Sequence, residues 1–135
     1  MGKDLISIVV PVYNAERFIE ETIKTVLNQT YEKWELILVD DCSKDNSKQI
    51  IEKFMQNDSR IKYYCQEKNG GPALARHKGI DLSTGNYICF LDADDLWDKD
   101  KLRKQTDFIK EKKCAFCFTS NELCKGWRNI CTRYG

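Results

Sequence analysis

The strongest constraint on the fold is a regular alternation of short apolar runs and longer amphipathic segments. The apolar runs, rich in β-branched and aromatic residues, occupy residues 5–10, 34–39, 61–65 and 87–91. The segments between them place apolar residues at helical spacing. This order of strand and helix predicts a doubly wound, Rossmann-like α/β domain, in which a mainly parallel sheet carries helices on both faces.

Several element boundaries follow from single residues. Pro11 is expected to end the first strand, and the run at 87–91 is expected to be a buried strand like the first two. Pro72 suits the first position of the third helix. A fourth helix should follow Asp98, and residues 115–119 predict one more strand. The first helix is expected to bury one apolar stripe, formed by Phe18, Ile19, Ile23, Val26 and Leu27.

Size and charge narrow the classes of partner. The chain has 135 residues, enough for one domain with one core. Its 22 lysines and arginines balance 21 acidic residues, so charge gives no reason to expect a nucleic-acid partner. No apolar run has the length of a signal peptide or a membrane span. We therefore expect a cytoplasmic protein with no membrane span in this chain, in the cytosol or at the inner face of the membrane.

The cysteines indicate a reducing compartment. There are seven, an odd number, and several lie within apolar runs. Cys114 and Cys117 form a C-x-x-C motif, but a zinc site would need a second close pair or a nearby histidine. These two cysteines are therefore expected to pack rather than to bind metal.

Polar motifs follow three of the predicted strands. PVYN at residues 11–14, DDCSKD at 40–45 and DADD at 92–95 each come after an apolar run. Parallel strands place their carboxyl ends at one edge of the sheet, and ligands bind there, where the strand order reverses. The three motifs are therefore expected to form one site.

The DADD motif concentrates charge. Two carboxylates about 4 Å apart repel by roughly 4 kcal/mol near a protein surface. Asp92, Asp94 and Asp95 should therefore hold a cation, share a proton or separate into water. Two interpretations remain open from these residues alone, a metal site and an acidic turn that caps the helix starting near Asp98.

Four motifs in order resemble a known family. PVYN, DDCSKD, NGGPALARHKGI at residues 69–80 and DADD are similar to the nucleotide-sugar half of family-2 glycosyltransferases with the GT-A fold. The resemblance covers about residues 5–119. It implies a nucleotide-sugar-binding half-domain at residues 1–120 and the incomplete start of an acceptor-side region at residues 121–135. We therefore expect the chain to be an N-terminal piece of a longer protein.

The resemblance also implies roles for individual residues. Tyr13 would stack on the base, Asp41 would accept the N3 hydrogen of uracil, and Arg76 would reach ribose or diphosphate. Residues 69–71 would bring bare backbone, with unbonded N–H groups, close to an anion. The implied nucleotide-sugar contacts are Pro11, Tyr13, Asn14, Asp41, Gly71, Arg76, Asp92 and Ala93.

The resemblance to family-2 glycosyltransferases also implies a bound divalent cation. Asp94 would bind Mn²⁺ or Mg²⁺ directly, because such cations take carboxylate and phosphate oxygens together. Asp92 would hold ribose or a metal-bound water, or serve as a second ligand. The sequence departs from the family pattern at Cys42, where glycine is usual; a positive φ there would cost of order 1 kcal/mol.

The implied reaction is an inverting transfer of a hexosyl or N-acetylhexosaminyl group. The donor would be a nucleoside diphosphate sugar, with UDP favoured, and the acceptor a hydroxyl of a glycan or lipid-linked sugar in cell-surface polysaccharide synthesis. The general base is expected beyond residue 135, because Glu122 is the only carboxylate from 121 onward and does not match that role. Two alternatives remain, a nucleotide-sugar-binding fragment without transfer activity and a metal-dependent nucleotidyltransferase.

Overall fold

The computed structural model describes residues 5–112, 117–118 and 130–131. The order of elements confirms the predicted alternation. The strands are β1 (Ile6–Val12), β2 (Trp34–Asp40), β3 (Ile61–Cys65), β4 (Tyr87–Phe90), β5 (Cys117–Phe118) and β6 (Ile130–Cys131). The helices are α1 (Ile19–Leu27), α2 (Ser47–Asn57), α3 (Pro72–Leu82) and α4 (Lys101–Lys112).

Four strands form one parallel sheet in the order β3-β2-β1-β4. The chain moves outward from β1 to β3 and then returns to the other side of β1 for β4. Strand order therefore reverses between β1 and β4, which is where ligands bind in sheets of this type. β5 and β6 form a separate antiparallel pair. The packing role predicted for Cys114 and Cys117 concerns side chains outside the described part of the chain.

Helices cover both faces of the parallel sheet, as the sequence predicts. On one face, alternate residues of β1 pack against α1, α2 and α4. On the other, Ile37 and Val39 of β2 pack against Ala75 of α3. The first of these two cores contains Ile6, Ile8, Val10, Val12, Ile19, Ile23, Leu36, Leu38, Ile51 and Leu102.

Pro11 does not end β1, so that expectation was wrong. The strand continues to Val12. The Val9 carbonyl accepts a hydrogen bond from Leu91 on the β4 side, and the nitrogen of Pro11, two residues later, faces the same side. The pairing of β1 with β4 ends at Val9 and Phe90. The position where Pro11 lacks an N–H therefore lies beyond the last residue pair of β1 and β4. Its absence costs the sheet no hydrogen bond.

β4 is half buried, whereas the sequence predicted a buried strand. Tyr87 and Cys89 pack on the first core, but Ile88 is 41% exposed and Phe90 is 42% exposed. α3 packs on β1 and β2, and β4 lies at the edge of the sheet within the described residues. Its side chains on the α3 face are therefore left uncovered by the described elements.

Helix α3 approaches the sheet most closely at Gly79. A Cβ atom at this position would lie 2.2 Å from Cγ1 and 3.0 Å from Cγ2 of Val9. Valine is stiff about χ1, so its methyl groups do not rotate away at low cost. Gly79 therefore sets the distance between β1 and the helix that carries Arg76.

We expect Gly79→Ala to lower the free energy of unfolding by about 1–3 kcal/mol, because the added methyl overpacks the contact with Val9. Urea denaturation measures the change. In a Val9→Ala background the same substitution should cost much less, because its steric partner is gone. Equal costs in the two backgrounds would contradict a steric origin.

A buried carboxylate ties together the amino ends of the strands. Glu35 of β2 is 4% exposed. Its Oε1 accepts hydrogen bonds from the Ser7 hydroxyl at 2.6 Å and the Thr84 N–H at 2.7 Å, and its Oε2 lies 2.6 Å from Nζ of Lys62. Burial raises the pKa of Glu35, but the hydrogen bonds from Lys62, Ser7 and Thr84 outweigh it and lower the pKa from 4.5 to about 2.

We expect Glu35→Gln to destabilise the fold at pH 7 by roughly 1–3 kcal/mol, because the charged acceptor is lost. A lowered folded-state pKa stabilises above pH 4.5, and this stabilisation is lost as pH falls toward 2. The difference between wild type and variant should therefore shrink over that range in urea denaturation series.

Glu52→Gln is the matched control, because Glu52 is exposed and lies 3.9 Å from Lys48 on the surface of α2. Its effect should stay below about 0.5 kcal/mol at every pH. A constant difference between wild type and Glu35→Gln down to pH 2 would rule out the titration of Glu35 as the cause.

Candidate functional site

An open cleft of about 580 Å³ lies at the carboxyl edge of the sheet, between the loops after β1, β2 and β4 and the start of α3. All nine residues that the sequence analysis singled out for donor and metal binding line it. The complete lining is Pro11, Val12, Tyr13, Asn14, Ala15, Phe18, Asp41, Asn69, Gly71, Pro72, Arg76, Asp92, Ala93 and Asp94.

The loop after β1 is held by the loop after β2. The Asn14 N–H donates to Oγ of Ser43, and Oδ1 of Asn14 accepts from the Lys44 N–H, both at 2.9 Å. Asn14 has a φ of 47°, a left-handed conformation that asparagine tolerates better than most residues. With the loop fixed in this way, Tyr13 stands 53% exposed in the cleft, where its ring face is accessible to a flat ligand.

Asp41 binds the loop before α3. Its side chain is buried, and Oδ1 and Oδ2 accept hydrogen bonds from the N–H groups of Gly70 and Gly71, each at 2.8 Å. Gly71 has a φ of 91°, which glycine adopts without strain. The expectation that these two N–H groups stay unbonded for an anion was wrong, because the Asp41 carboxylate already takes them. Each carboxylate oxygen retains a second lone pair for a ligand.

Asp40, beside Asp41, has a structural role. It is 1% exposed, with Oδ1 accepting from the Ser43 N–H and Oδ2 from the Tyr63 hydroxyl. Burial, and then the hydrogen bond to Asp40, raise the pKa of Tyr63, so the tyrosine remains a donor. Asp40 therefore shapes the loop and does not reach the cleft lining.

Cys42 keeps the backbone that glycine would favour. Its φ is 65°, so the loop follows the left-handed path despite the side chain. The Cys42 thiol donates to the carbonyl oxygen of Gln66 at 3.2 Å. This weak hydrogen bond offsets part of the strain, which is of order 1 kcal/mol.

Three carboxylates converge at the other end of the cleft. Oxygens of Asp92, Asp94 and Asp95 all lie within 4.8 Å of one another. Burial, followed by the charges of Asp92 and Asp94, raises the pKa of Asp95. Arg76 compensates part of this charge, with its Nη2 atom 3.1 Å from Oδ1 of Asp92. The cluster therefore does not separate into water, and its all-oxygen donor set fits Mg²⁺ or Mn²⁺.

The alternative of an acidic helix cap does not account for this cluster. α4 begins at Lys101, and its start is bonded to nearer residues. The Asp98 carbonyl accepts from the Lys101 N–H at 3.1 Å, and the Asp98 side chain accepts from the Asp100 N–H. The turn that carries Asp94 is held by α1, whose Thr22 hydroxyl donates to the Ala93 carbonyl at 2.9 Å.

Sequence reasoning missed Phe18 as a cleft residue. The helical pattern placed it on the buried stripe, but α1 begins at Ile19 and Phe18 is 52% exposed in the lining. Thr22, one turn later, is buried instead. Counting the helical spacing from Ile19, through Ile23 and Val26, would have left Phe18 outside the buried stripe.

The parallel sheet and its carboxyl-edge cleft have the GT-A architecture. The 1–349 fragment of TarS from S. aureus, solved in complex with UDP-GlcNAc, superposes with a TM-score of 0.76 and 31% identity over 87% of this chain and 36% of that one. The family model described as "Glycosyl transferase family 2" matches residues 7–130. The chain therefore belongs to glycosyl transferase family 2.

Two relatives extend this comparison. TuaG of Bacillus subtilis (strain 168), a glycosyltransferase assigned to teichuronic acid biosynthesis, is 46% identical over 121 residues, which are 90% of this chain and 48% of TuaG. WfgD of Escherichia coli, named as a UDP-Glc:alpha-D-GlcNAc-diphosphoundecaprenol beta-1,3-glucosyltransferase, is 40% identical over 91% of this chain and 48% of WfgD. The chain spans about half the length of each of these two relatives.

Among the helices that the structure describes, none combines the length and the apolar composition needed to cross a bilayer.

We expect Asp94→Asn to raise stability in EDTA by a few tenths of a kcal/mol, because one repulsive charge leaves the cluster. Saturating Mn²⁺ should raise the melting temperature of the wild type and have a much smaller effect on the variant. Thermal denaturation with and without metal measures both effects. Asp107→Asn, an exposed change on α4 outside the cluster, should respond to Mn²⁺ like the wild type; an equal response of Asp94→Asn would contradict its role as a ligand.

Proposed function

We propose that this chain is the donor-binding part of an inverting, metal-dependent glycosyltransferase. The donor is a UDP-linked hexose or N-acetylhexosamine, and the acceptor is a hydroxyl of a glycan or lipid-linked sugar in cell-surface polysaccharide synthesis. One observation carries the proposal. A single cleft joins an aromatic, hydrogen-bonding end at Tyr13 and Asp41 to a cation-binding end at Asp92 and Asp94.

Similar proteins support the choice of donor and acceptor. The TarS fragment is solved with UDP-GlcNAc, and the name of WfgD specifies UDP-Glc and a diphosphoundecaprenol-linked acceptor. The name of TuaG refers to teichuronic acid biosynthesis. A lipid-linked acceptor would place the protein at the inner, cytoplasmic face of the membrane.

At the base end, Tyr13 stacks on uracil and Asp41 accepts its N3 hydrogen. Stacking suits Tyr13 because its ring is exposed while its loop is fixed by Ser43 and Lys44. Asp41 is preorganised because Gly70 and Gly71 hold its carboxylate in one orientation. Pro11 and Asn14 complete the wall around base and ribose.

At the diphosphate end, Arg76 and the carboxylates divide the work. Arg76 lies in the cleft and forms an ion pair with Asp92. When the donor binds, the guanidinium group gives up part of this contact and donates a charge-assisted hydrogen bond to a phosphate oxygen. Asp94 holds the divalent cation, with Asp92 contacting ribose or a metal-bound water. When bound, this cation neutralises charge on the departing diphosphate. Ala93 lines the same end, and Gly71 lies beside Asp41; both present small surfaces that let the donor approach closely.

An inverting transfer also needs a general base for the acceptor hydroxyl. We place it beyond residue 135. Glu122 lies outside the described residues and is not proposed for this role. The division into a donor-binding part at residues 1–120 and an acceptor-side start at 121–135 remains a prediction. This chain alone should therefore bind donor without efficient transfer, while family membership favours glycosyl transfer over the nucleotidyltransferase alternative.

Calorimetric titration of UDP into this chain with Mn²⁺ tests donor binding. We expect Tyr13→Ala to weaken binding at least about fivefold, because base stacking is lost, and EDTA to weaken it further. Phe90→Ala is the matched control, since Phe90 is a similarly exposed aromatic outside the cleft lining. Equal losses in the two variants, or binding unchanged by EDTA, would contradict the proposed site. Metal-dependent UDP binding without turnover, also when the chain is tested together with an acceptor-side region, would instead select the binding-fragment alternative.

A further inference from the structure

We propose that Cys42 and Cys65 form a reversible disulfide, an oxidative modification site behind the base end of the cleft. The oxidant is a hydroperoxide. The two cysteines lie near the carboxyl ends of two neighbouring strands. Cys42 is in the loop after β2, and Cys65 is the last residue of β3.

The geometry brings the two thiols to one point. Sγ of Cys42 donates to the carbonyl oxygen of Gln66 at 3.2 Å, and Sγ of Cys65 lies 3.5 Å from the same oxygen. Gln66 is fixed in turn, because its N–H donates to the Asp40 carbonyl at 2.8 Å. Both sulfurs therefore lie within 3.5 Å of one fixed oxygen atom, which brings the two thiols close together.

Exposure sets the order of the two chemical steps. Cys65 is exposed and Cys42 is half-buried, so Cys65 meets the oxidant first. Its thiolate attacks the hydroperoxide and breaks the O–O bond, giving a sulfenic acid and, with a proton, water or an alcohol. The Cys42 sulfur then attacks the Cys65 sulfur, and its proton leaves with the hydroxyl as water. Two thiols thereby lose two electrons and two protons, and one hydroperoxide is reduced.

Burial, together with the nearby Cys65, Asp41 and Asp40, raises the pKa of Cys42. A raised pKa lowers the thiolate fraction of Cys42, and the thiolate is the form that attacks a hydroperoxide. Burial therefore disfavours Cys42 as the site of the first attack, in agreement with its lower exposure.

The disulfide would change the cleft through the backbone that joins Cys42 to Asp41. The expected effect on UDP binding rests on the proposed function. Cys42 directly follows Asp41, which holds Gly70 and Gly71. A disulfide requires a sulfur–sulfur distance near 2.05 Å, much shorter than any non-bonded approach of two sulfur atoms. Closing it would draw Cys42 toward β3 and shift the Asp41 carboxylate away from the glycine N–H groups, so the oxidised chain should bind UDP more weakly.

Peptide mapping tests the disulfide without reference to nucleotide. After hydrogen peroxide treatment and digestion with trypsin under non-reducing conditions, we expect residues 34–44 and 63–68 to appear as one linked peptide, with the mass of the pair less two hydrogen atoms. Dithiothreitol should separate them. Cys65→Ser should abolish the link, and Cys89→Ser, at the other side of the sheet in β4, should leave it intact. Failure to recover the linked peptide from oxidised wild type would overturn the proposal.

UDP titration of the reduced and oxidised chain then tests the coupling. We expect oxidation to weaken binding by at least about threefold, with recovery after dithiothreitol and no loss in Cys65→Ser. A linked chain that binds UDP as well as the reduced one would overturn the coupling to the cleft. If the reduced chain fails to bind UDP, the proposed function fails, while the disulfide still stands or falls on the peptide map.

Discussion

The central strand β1 is the constraint on which the rest of the structure depends. Its backbone pairs with β2 on one side and β4 on the other, and both its faces are covered by helices. Alternate side chains fill the core under α1, α2 and α4, while Val9 meets α3 at Gly79. Because β1 is parallel to both neighbours, the loops that follow β1, β2 and β4 open onto the same edge, and the cleft forms where they meet.

The cleft is organised by bonds between its own loops. Asp41 uses both carboxylate oxygens to hold the glycine turn before α3, and Asn14 connects the loops after β1 and β2. Arg76 offsets part of the repulsion among the aspartates after β4. Fixing polar groups before a ligand arrives reduces the ordering cost of binding. The pKa of Asp95 is raised by burial and then by the charges of Asp92 and Asp94, and this remaining repulsion favours a cation at that end.

Sequence reasoning succeeded where one physical rule dominates and failed where two compete. Apolar runs and helical spacing predicted the order of β1 to α4, because burial decides both. Pro11 was misjudged because a missing N–H is costly only where the neighbouring strand offers a carbonyl to accept its hydrogen bond. Whether β4 does so at Pro11 depends on where β4 ends. Phe18 was misjudged because the helix starts one residue later. The exposure of Ile88 and Phe90 depends on which strands α3 covers, which no local pattern reports.

The sequence by itself determined the alternation of strands and helices, the polar motifs at the strand ends and the resemblance to family-2 glycosyltransferases, because each of these is a property of neighbouring residues. Tertiary structure alone decided which polar groups bond to one another. Asp41 and Gly71 lie far apart in the chain, as do Cys42 and Cys65, and only the parallel pairing of β2 with its neighbours brings them together. Hydrogen bonds of a few ångströms require that alignment in space, and spacing along the chain does not encode it.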